Sequence, residues 1–502
     1  MPMNPLFWLL ITPIICALIL YVVGRTIPPD DESSPNKAAW LSLFSILLTV
    51  VPFVLTAKKF TEEGPVSLTA GMITLTFDGI SLLMTSVLLV LSAMVVLFSA
   101  QYMVAEDHEE KFYGQIMILM SSIMGLTTAT DIFNLYVWFE LMAVSTYTLV
   151  SFYRNRTESL ESGIKYLVQS AAGSVLVILG TSILFGLTGE VKISAIRESI
   201  LTSSPAVIAA TACLLIGYGV KCAIVPMHFW LPDAHSQAPA GISALLSGIV
   251  IETGLIALLR ALSAVSHAHL PLGTIFLVIG CINMFIGTFS ALRQKEIKRM
   301  LAFSSVSQMG YILLGIGFAI SFPASAQNAE GIFTHIFNHA LMKGLAFLSA
   351  GALVYCIKVS KGNHEPLLLD DLNGVSAKYP LYSLAFTISM LALGGLPLFA
   401  GFISKWQILA SGIAAQKSWV AFLIALAGIN SVLSLGHYAP PINRIYRHVS
   451  NNNEVAISPK FQQAMIIPII ILTAAVILLG FFPGITAGIT KVASETLYTM
   501  FY

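Results

Sequence analysis

A lysine at position 221 closes the apolar run "AVIAATACLLIGYGV", directly ahead of "CAIVPMHFWLPDAH". At mid-bilayer such a cation costs about 2.5–3.5 kcal/mol on insertion scales, so a partner or a function must retain it. The stretch "DIFNLYVWFELMAVSTYTLV" places Glu140 deep in another apolar segment. Desolvation disfavours either charge alone and pairing offsets it, which predicts a Glu140–Lys221 pair. In "THIFNHALMKGLAFLSAG", His335, His339 and Lys343 recur every four residues and share one helix face. A metal site would want a carboxylate or a third histidine where the lysine stands, and one helix cannot put two histidines on opposite sides of a haem. A basic stripe that hands on protons suits these residues better, because histidine titrates near neutrality. The plainer alternative is two packing histidines and an interfacial lysine.

Five further positions belong to the same chemistry. Lys405, in "AGFISKWQIL", is a relay candidate whose alternative is snorkelling to the interface. Glu252, in "SGIVIETGLIALLR", is a second intramembrane carboxyl, able as a protonatable group to accept and donate, with Arg260 as a candidate end anchor. His228 and His235 either extend the route or cap the loop that carries them. Lys165, in "SGIKYLVQS", lies near an end of its segment and snorkels more naturally.

The elements that must hold these groups are membrane helices. Apolar residues make up 56% of the 502 and charged residues only 10%, far from the balance of a water-soluble domain. Fourteen windows of about 20 apolar residues, each enough for a bilayer of roughly 30 Å, run from end to end. They fall near 5–24, 38–57, 80–100, 112–129, 132–153, 164–186, 205–226, 240–262, 271–291, 300–320, 332–356, 381–410, 418–438 and 464–484. The first reads as a span and not a cleaved signal, since its first basic residue, Arg25, follows it. The prediction is an all-α membrane protein, one polytopic domain over 1–502.

Connections following odd-numbered windows carry 15 Lys and Arg, "RQKEIKR" and "NRIYRH" among them, against 6 on the other side. The bias puts both termini on the outer face of the cell's inner (plasma) membrane. The polar stretches 24–37 and 450–460 read as mobile and too small for domains. Pro and Gly interrupt the seventh and twelfth windows, at "VPMHFWLPDAHSQAPAG" and "LGGLPLFAGF". Broken helices five windows apart predict two inverted repeats, windows 4–8 (about 112–262) and 9–13 (about 271–438), with ion sites at the breaks. The five cysteines form no C-x-x-C, so no disulfide framework, metal or iron–sulfur site is expected, and no cofactor motif is present. A net charge of +1 offers no case for nucleic acid.

Five segments together carry a resemblance: "FNLYVWFELMAVSTYTLV", "HFWLPDAHSQAPAGISALLSG", "RQKEIKRMLAFSSVSQMGYILLGIG", "HIFNHALMKGLAFLSAG" and "GGLPLFAGFISKWQIL". Over about 80–440 the chain resembles the antiporter-like subunits of respiratory complex I, membrane-bound hydrogenases and multisubunit Mrp-type sodium/proton antiporters. The likeness looks nearest to the D-type Mrp subunit and its hydrogenase counterparts. It implies a 14-helix fold and a mid-membrane chain of charged and histidine residues that carries protons. The family's fifth-helix glutamate falls on Glu140, its broken-helix lysine on Lys221, its eleventh-helix positions on His335, His339 and Lys343, and its twelfth-helix position on Lys405. One position departs, because Glu252 stands where the family usually has lysine. The resemblance further implies neighbouring membrane subunits, including other antiporter-like ones, as partners, and protons, with sodium as a coupled ion, as cargo. Two rival readings are a quinone- or haem-binding subunit and a structural subunit without an ion path.

Overall fold

The computed structural model describes residues 4–26, 37–71, 73–104, 106–326, 329–358, 365–448 and 463–502. Most of 24–37 and all of 450–460, the stretches expected to be mobile, lie outside the described residues. Lipid offers backbone groups no water, so each apolar segment closes its own hydrogen bonds as a helix. Helices occupy all fourteen windows. The first six are α1 (Pro5–Thr26), α2 (Lys37–Glu63), α3 (Gly79–Tyr102), α4 (Glu109–Thr128), α5 (Ile132–Val150) and α6 (Thr157–Thr188). A short α7 (Ile193–Ser199) leads to α8 (Pro205–Lys221) and α9 (Trp230–Gln237). Then α10 (Ala240–Leu245) runs through a π turn, Leu246–Val250, into α11 (Ile251–Ser263). The second half comprises α12 (Leu272–Leu292), α13 (Ile297–Ser321), the short α14 (Pro323–Ala326), α15 (Glu330–Ile357), α16 (Pro380–Gly394), α17 (Ala400–Ile413), α18 (Ser418–Ile445) and α19 (Gln463–Phe481). A final α20 (Ala487–Phe501) follows.

Among the described residues ten helices are long and apolar enough to cross a membrane by themselves. Helices α8 and α16, with 17 and 15 residues, fall short because the expected breaks cut them off. After Lys221 the chain leaves the helix until Trp230, and between Gly394 and Ala400 it turns through Gly395 and Leu398, both in the left-handed region. Leu398 pays for that conformation, having a Cβ that Gly395 lacks.

Two elements were not foreseen. Strands β1 (Val66–Ala70) and β2 (Ile73–Phe77) form an antiparallel hairpin between α2 and α3, with Val66 opposite Phe77. Helix α20 packs on α3 and α15, and Arg197 of α7 clamps its end by donating to the Met500 carbonyl at 2.8 Å. The most sequestered helices are α10–α11, α13 and α15, and they carry the polar residues considered next.

Candidate functional site

Serine caps the start of α8, through Ser204, and the helix ends at Lys221, whose side chain is completely buried. Among the described residues the ammonium touches no carboxylate. It donates to the Tyr166 hydroxyl at 2.6 Å and to Thr146 Oγ1 at 3.2 Å, and these two hydroxyls bond each other at 2.9 Å. The Tyr166 ring stacks on Trp230 at 3.9 Å, so the far side of the break forms the wall of the lysine's pocket. Backbone groups freed by the break are caught by side chains. Asn283 of α12 accepts from the Val225 N–H at 2.9 Å and donates to the Ala223 carbonyl at 3.2 Å, and Gln169 of α6 donates to the Met227 carbonyl at 2.6 Å. Each unmade bond at that depth would cost about 1–3 kcal/mol.

The expected Glu140–Lys221 contact is therefore corrected. Glu140 is half-buried and accepts from Ser174 Oγ of α6. It lies on a stripe of α5 with Phe133, Val137 and Val144, all exposed, and not in the middle of the bundle. The hydroxyl pocket occupies the place around Lys221 where a carboxylate was expected.

The stripe on α15 is present and fully buried, but its members point to three different helices. His335 Nδ1 meets Ser404 Oγ of α17 at 2.9 Å, and His339 Nδ1 meets Glu252 Oε1 of α11 at 2.7 Å. Lys343 donates to Ser304 Oγ at 2.7 Å and to the Leu301 carbonyl at 2.8 Å, both on α13. The two imidazole rings lie 5.9 Å apart. Glu252 is also completely buried, two residues from Gly254, where α11 passes so close to α8 that an added Cβ would stand 2.8 Å from Lys221 Cβ. The acid–imidazole pair was invisible in the sequence because it joins residues 87 apart.

Lys405, 4% exposed, is not snorkelling. Its ammonium donates to the Leu393 carbonyl at 2.8 Å, a group released by the second break, and lies 4.9 Å from the centre of the Tyr311 ring. Gln308 of α13 donates to the same carbonyl at 2.8 Å and to the Tyr438 hydroxyl at 3.3 Å, and Tyr438 bonds Ser304. A continuous hydrogen-bonded chain thus links Lys343 to Lys405 through Ser304, Tyr438, Gln308 and the Leu393 carbonyl. Sequence reading passed over Ser304, Gln308 and Tyr438, which carry no charge to mark them.

The remaining candidates separate. His235 is completely buried against Phe347, at 4.6 Å between ring centres, and His228 is buried beside Phe229 and Phe303. Neither His235 nitrogen has a hydrogen-bond partner among the described residues. Lys165 is brought elsewhere: half-exposed, it pairs with Glu161 at 2.7 Å and Asp233 at 3.2 Å, and Arg299 joins the same Asp233 at 2.6 Å. Arg260 is no end anchor but a buried partner of Asp78, at 2.7 Å, and of the Thr127 carbonyl. Lys298 and His437 are buried polar groups that sequence reading missed, the former donating to the Ala238 carbonyl at 2.6 Å.

Residues 129–434 match the transmembrane family described as NADH:quinone oxidoreductase/Mrp antiporter, and 68–113 match the N-terminal family of complex I chain 5. The F(420)H(2) dehydrogenase subunit N of Methanosarcina mazei is 32% identical over 473 residues, covering 93% of each chain. The NADH-quinone oxidoreductase subunit N of Desulfitobacterium hafniense is 31% identical, covering 77% of this chain and 78% of its own. The fold matches a chain of the membrane-bound sulfane sulfur reductase, an archaeal respiratory membrane complex, with a TM-score of 0.87 at 24% identity over 98% and 97% of the two chains. It also matches a chain of the Mrp complex from Dietzia sp. DQ12-45-1b, with a TM-score of 0.83 at 21% identity over 99% and 98%.

Proposed function

The chain belongs to the NADH:quinone oxidoreductase/Mrp antiporter transmembrane family, and from that premise we propose that it moves protons across the membrane as one subunit of a larger complex. The observation that carries this reading is the buried row Lys221, Glu252, His339, His335, Lys343 and Lys405, each at most 4% exposed, spread over helices from both broken regions. Six titratable groups withdrawn from water and lipid alike are costly unless they serve transport. Glu140 stands at one end of the row and Lys405 at the other. His228 and His235 are side branches towards the face that carries the basic loops, and Lys165 has no part in the relay.

The Glu252–His339 pair defines how the middle of the row works. A proton shared by a carboxyl and an imidazole leaves the pair at zero net charge wherever it sits, as neutral acid with neutral ring or as carboxylate with imidazolium. A proton arriving from the Lys221 side raises the pair to a net charge of +1, neutral acid with imidazolium, until it is passed on towards His335 or Lys343. Lysine at 252 would keep a protonatable group beside His339 but carry its charge in the protonated form. The acid therefore replaces the family's usual base without closing the route.

Broken helices five windows apart, each with a buried lysine beside its break, support two inverted repeats over about 112–262 and 271–438. The excess of Lys and Arg after odd-numbered windows supports 14 crossings of the plasma membrane with both termini outside. Half-exposed Glu140, on an otherwise apolar outward stripe, supports a neighbouring membrane subunit covering α5 and α6. Sodium as a second, coupled ion is part of the proposal and is separated by the same test. With the whole complex in proteoliposomes, Glu252→Gln should slow proton flux strongly, while Glu252→Lys, which keeps a protonatable group, should retain activity. A selective loss of sodium dependence in Glu252→Gln would reassign Glu252 as a cation ligand. Unchanged proton flux in Glu252→Gln would remove it from the route.

A further inference from the structure

Two grooves meet beside α4 at the end that carries basic loops. One is a polar basin of about 610 Å³ between the α3–α4 and α5–α6 connections, with Lys111, Arg154, Asn155 and Arg156 in its wall. The other is a groove of about 390 Å³ between α1 and α4, lined by Ile14, Leu18, Tyr21 and Ile118 and also by Glu110. Lys111 and Gln115 line both, so the polar basin and the apolar groove lie side by side along α4. The apolar part faces outwards: Leu18 is 66% exposed, on the surface a bilayer would cover.

Charge in the basin is unevenly satisfied. Three cations face two carboxylates, Glu106 and Asp107. Burial pushes the Glu106 carboxyl up towards its neutral form, with the Arg156 charge opposing and that of Asp107 reinforcing the shift. Arg156 also lies 4.2 Å over the Tyr153 ring, and His108 lies 3.6 Å from Glu110. Lys111 and Arg154 make no ion pair among the described residues. Two uncommitted cations above an apolar furrow reproduce, in reverse, the shape of one molecule: a negative head on a hydrocarbon tail. Guanidinium and ammonium groups bind phosphate through charge-assisted hydrogen bonds, and basic residues near an anionic leaflet are attracted to it.

We propose that this basin and groove hold one anionic phospholipid, its phosphate between Lys111 and Arg154 with the Asn155 amide alongside, and an acyl chain between α1 and α4. The site is independent of the proton row and stands or falls apart from it. It lies against the open end of α5, since Thr148 and Leu149 line the basin, and so a lipid there borders the face assigned to a neighbouring subunit.

The test uses the whole complex in lipid nanodiscs with a phosphatidylglycerol carrying a photoreactive acyl chain, and a phosphatidylcholine with the same chain. Phosphatidylglycerol should label peptides containing residues 14–21 and 114–118 several-fold more than phosphatidylcholine. The double variant Lys111→Gln, Arg154→Gln should bring that ratio to one. On the unaltered complex, unlabelled phosphatidylglycerol should compete and unlabelled phosphatidylcholine should not, which decides the matter even if the variant fails to assemble. Excess inorganic phosphate should leave labelling unchanged; competition by phosphate would show a free-anion site instead. Equal labelling by both lipids would mean ordinary annular lipid. No labelling, because a neighbouring subunit fills the groove, would equally overturn the proposal.

Discussion

Lys221 and Lys405 end up at corresponding breaks and are held in opposite ways. Lys221 donates to two hydroxyls, Tyr166 and Thr146, that also bond each other. Lys405 donates to a backbone carbonyl, Leu393, which it shares with Gln308. A hydroxyl accepts one hydrogen bond while offering another, whereas a carbonyl only accepts. The first lysine therefore stands in a place from which a proton can be handed on through its own ligands, and the second in a place where its partner stops the transfer. In the proposed route the first break is the conducting station and the second the terminal one.

That contrast can be broken most severely at Lys221. Lys221→Ala should abolish proton flux in the assembled complex, because no other group reaches Tyr166 and Thr146 from α8; near-normal flux in vesicles would refute the station. Glu140→Gln should act on the same step through the field of its charge, with non-additive effects in a double-mutant cycle. Additivity would show that the two residues are uncoupled.

Tyr166→Phe keeps the ring under Trp230 and removes only the hydroxyl. It forfeits one hydrogen bond from a charged group, about 1.5 kcal/mol, and should slow flux about tenfold. A rate equal to that of the unaltered complex would leave Thr146 as sufficient and weaken the contrast. Tyr438→Phe unties the hydrogen bonds that fix Ser304 beside Lys343 and Gln308 beside the Leu393 carbonyl, and both links are to neutral groups. At about 1 kcal/mol the expected slowing is about fivefold, and an effect larger than that of Tyr166→Phe would reverse the ranking of the two ends. Lys165→Ala should change flux least of all, since its pairs are exposed and such pairs contribute little. A marked loss would restore Lys165 to the relay.

How much of this was legible in the sequence depended on whether charge or geometry marked the residue. Lysines, glutamates and histidines inside apolar windows announced themselves by cost, and Lys221, Glu252, His335, His339, Lys343 and Lys405 are all buried. Their partners did not announce themselves. Tyr166, Thr146, Ser304 and Tyr438 are ordinary membrane-helix residues, and only the packing of distant helices turns them into ligands. Glu140 misled because window position gives depth along the membrane normal and nothing about which way a side chain faces; its neighbours Val137 and Val144, three before and four after, already marked an outward stripe. The β1–β2 hairpin went unseen for a different reason, being a short alternating segment between long apolar runs that dominate any hydropathy reading.

Asn283 ties the two halves together mechanically. Its single amide, on α12, holds both an N–H and a carbonyl of the unwound segment behind Lys221. Helix α12 packs along the length of α13, which in turn supplies Ser304 and Gln308 to the far end. If α12 shifts, the loop behind Lys221 must travel with it or leave two polar backbone groups stranded, at about 1–3 kcal/mol each. The unwound segment is thus less a loose joint than a crankpin, and the rod that turns it is a helix belonging to the other half.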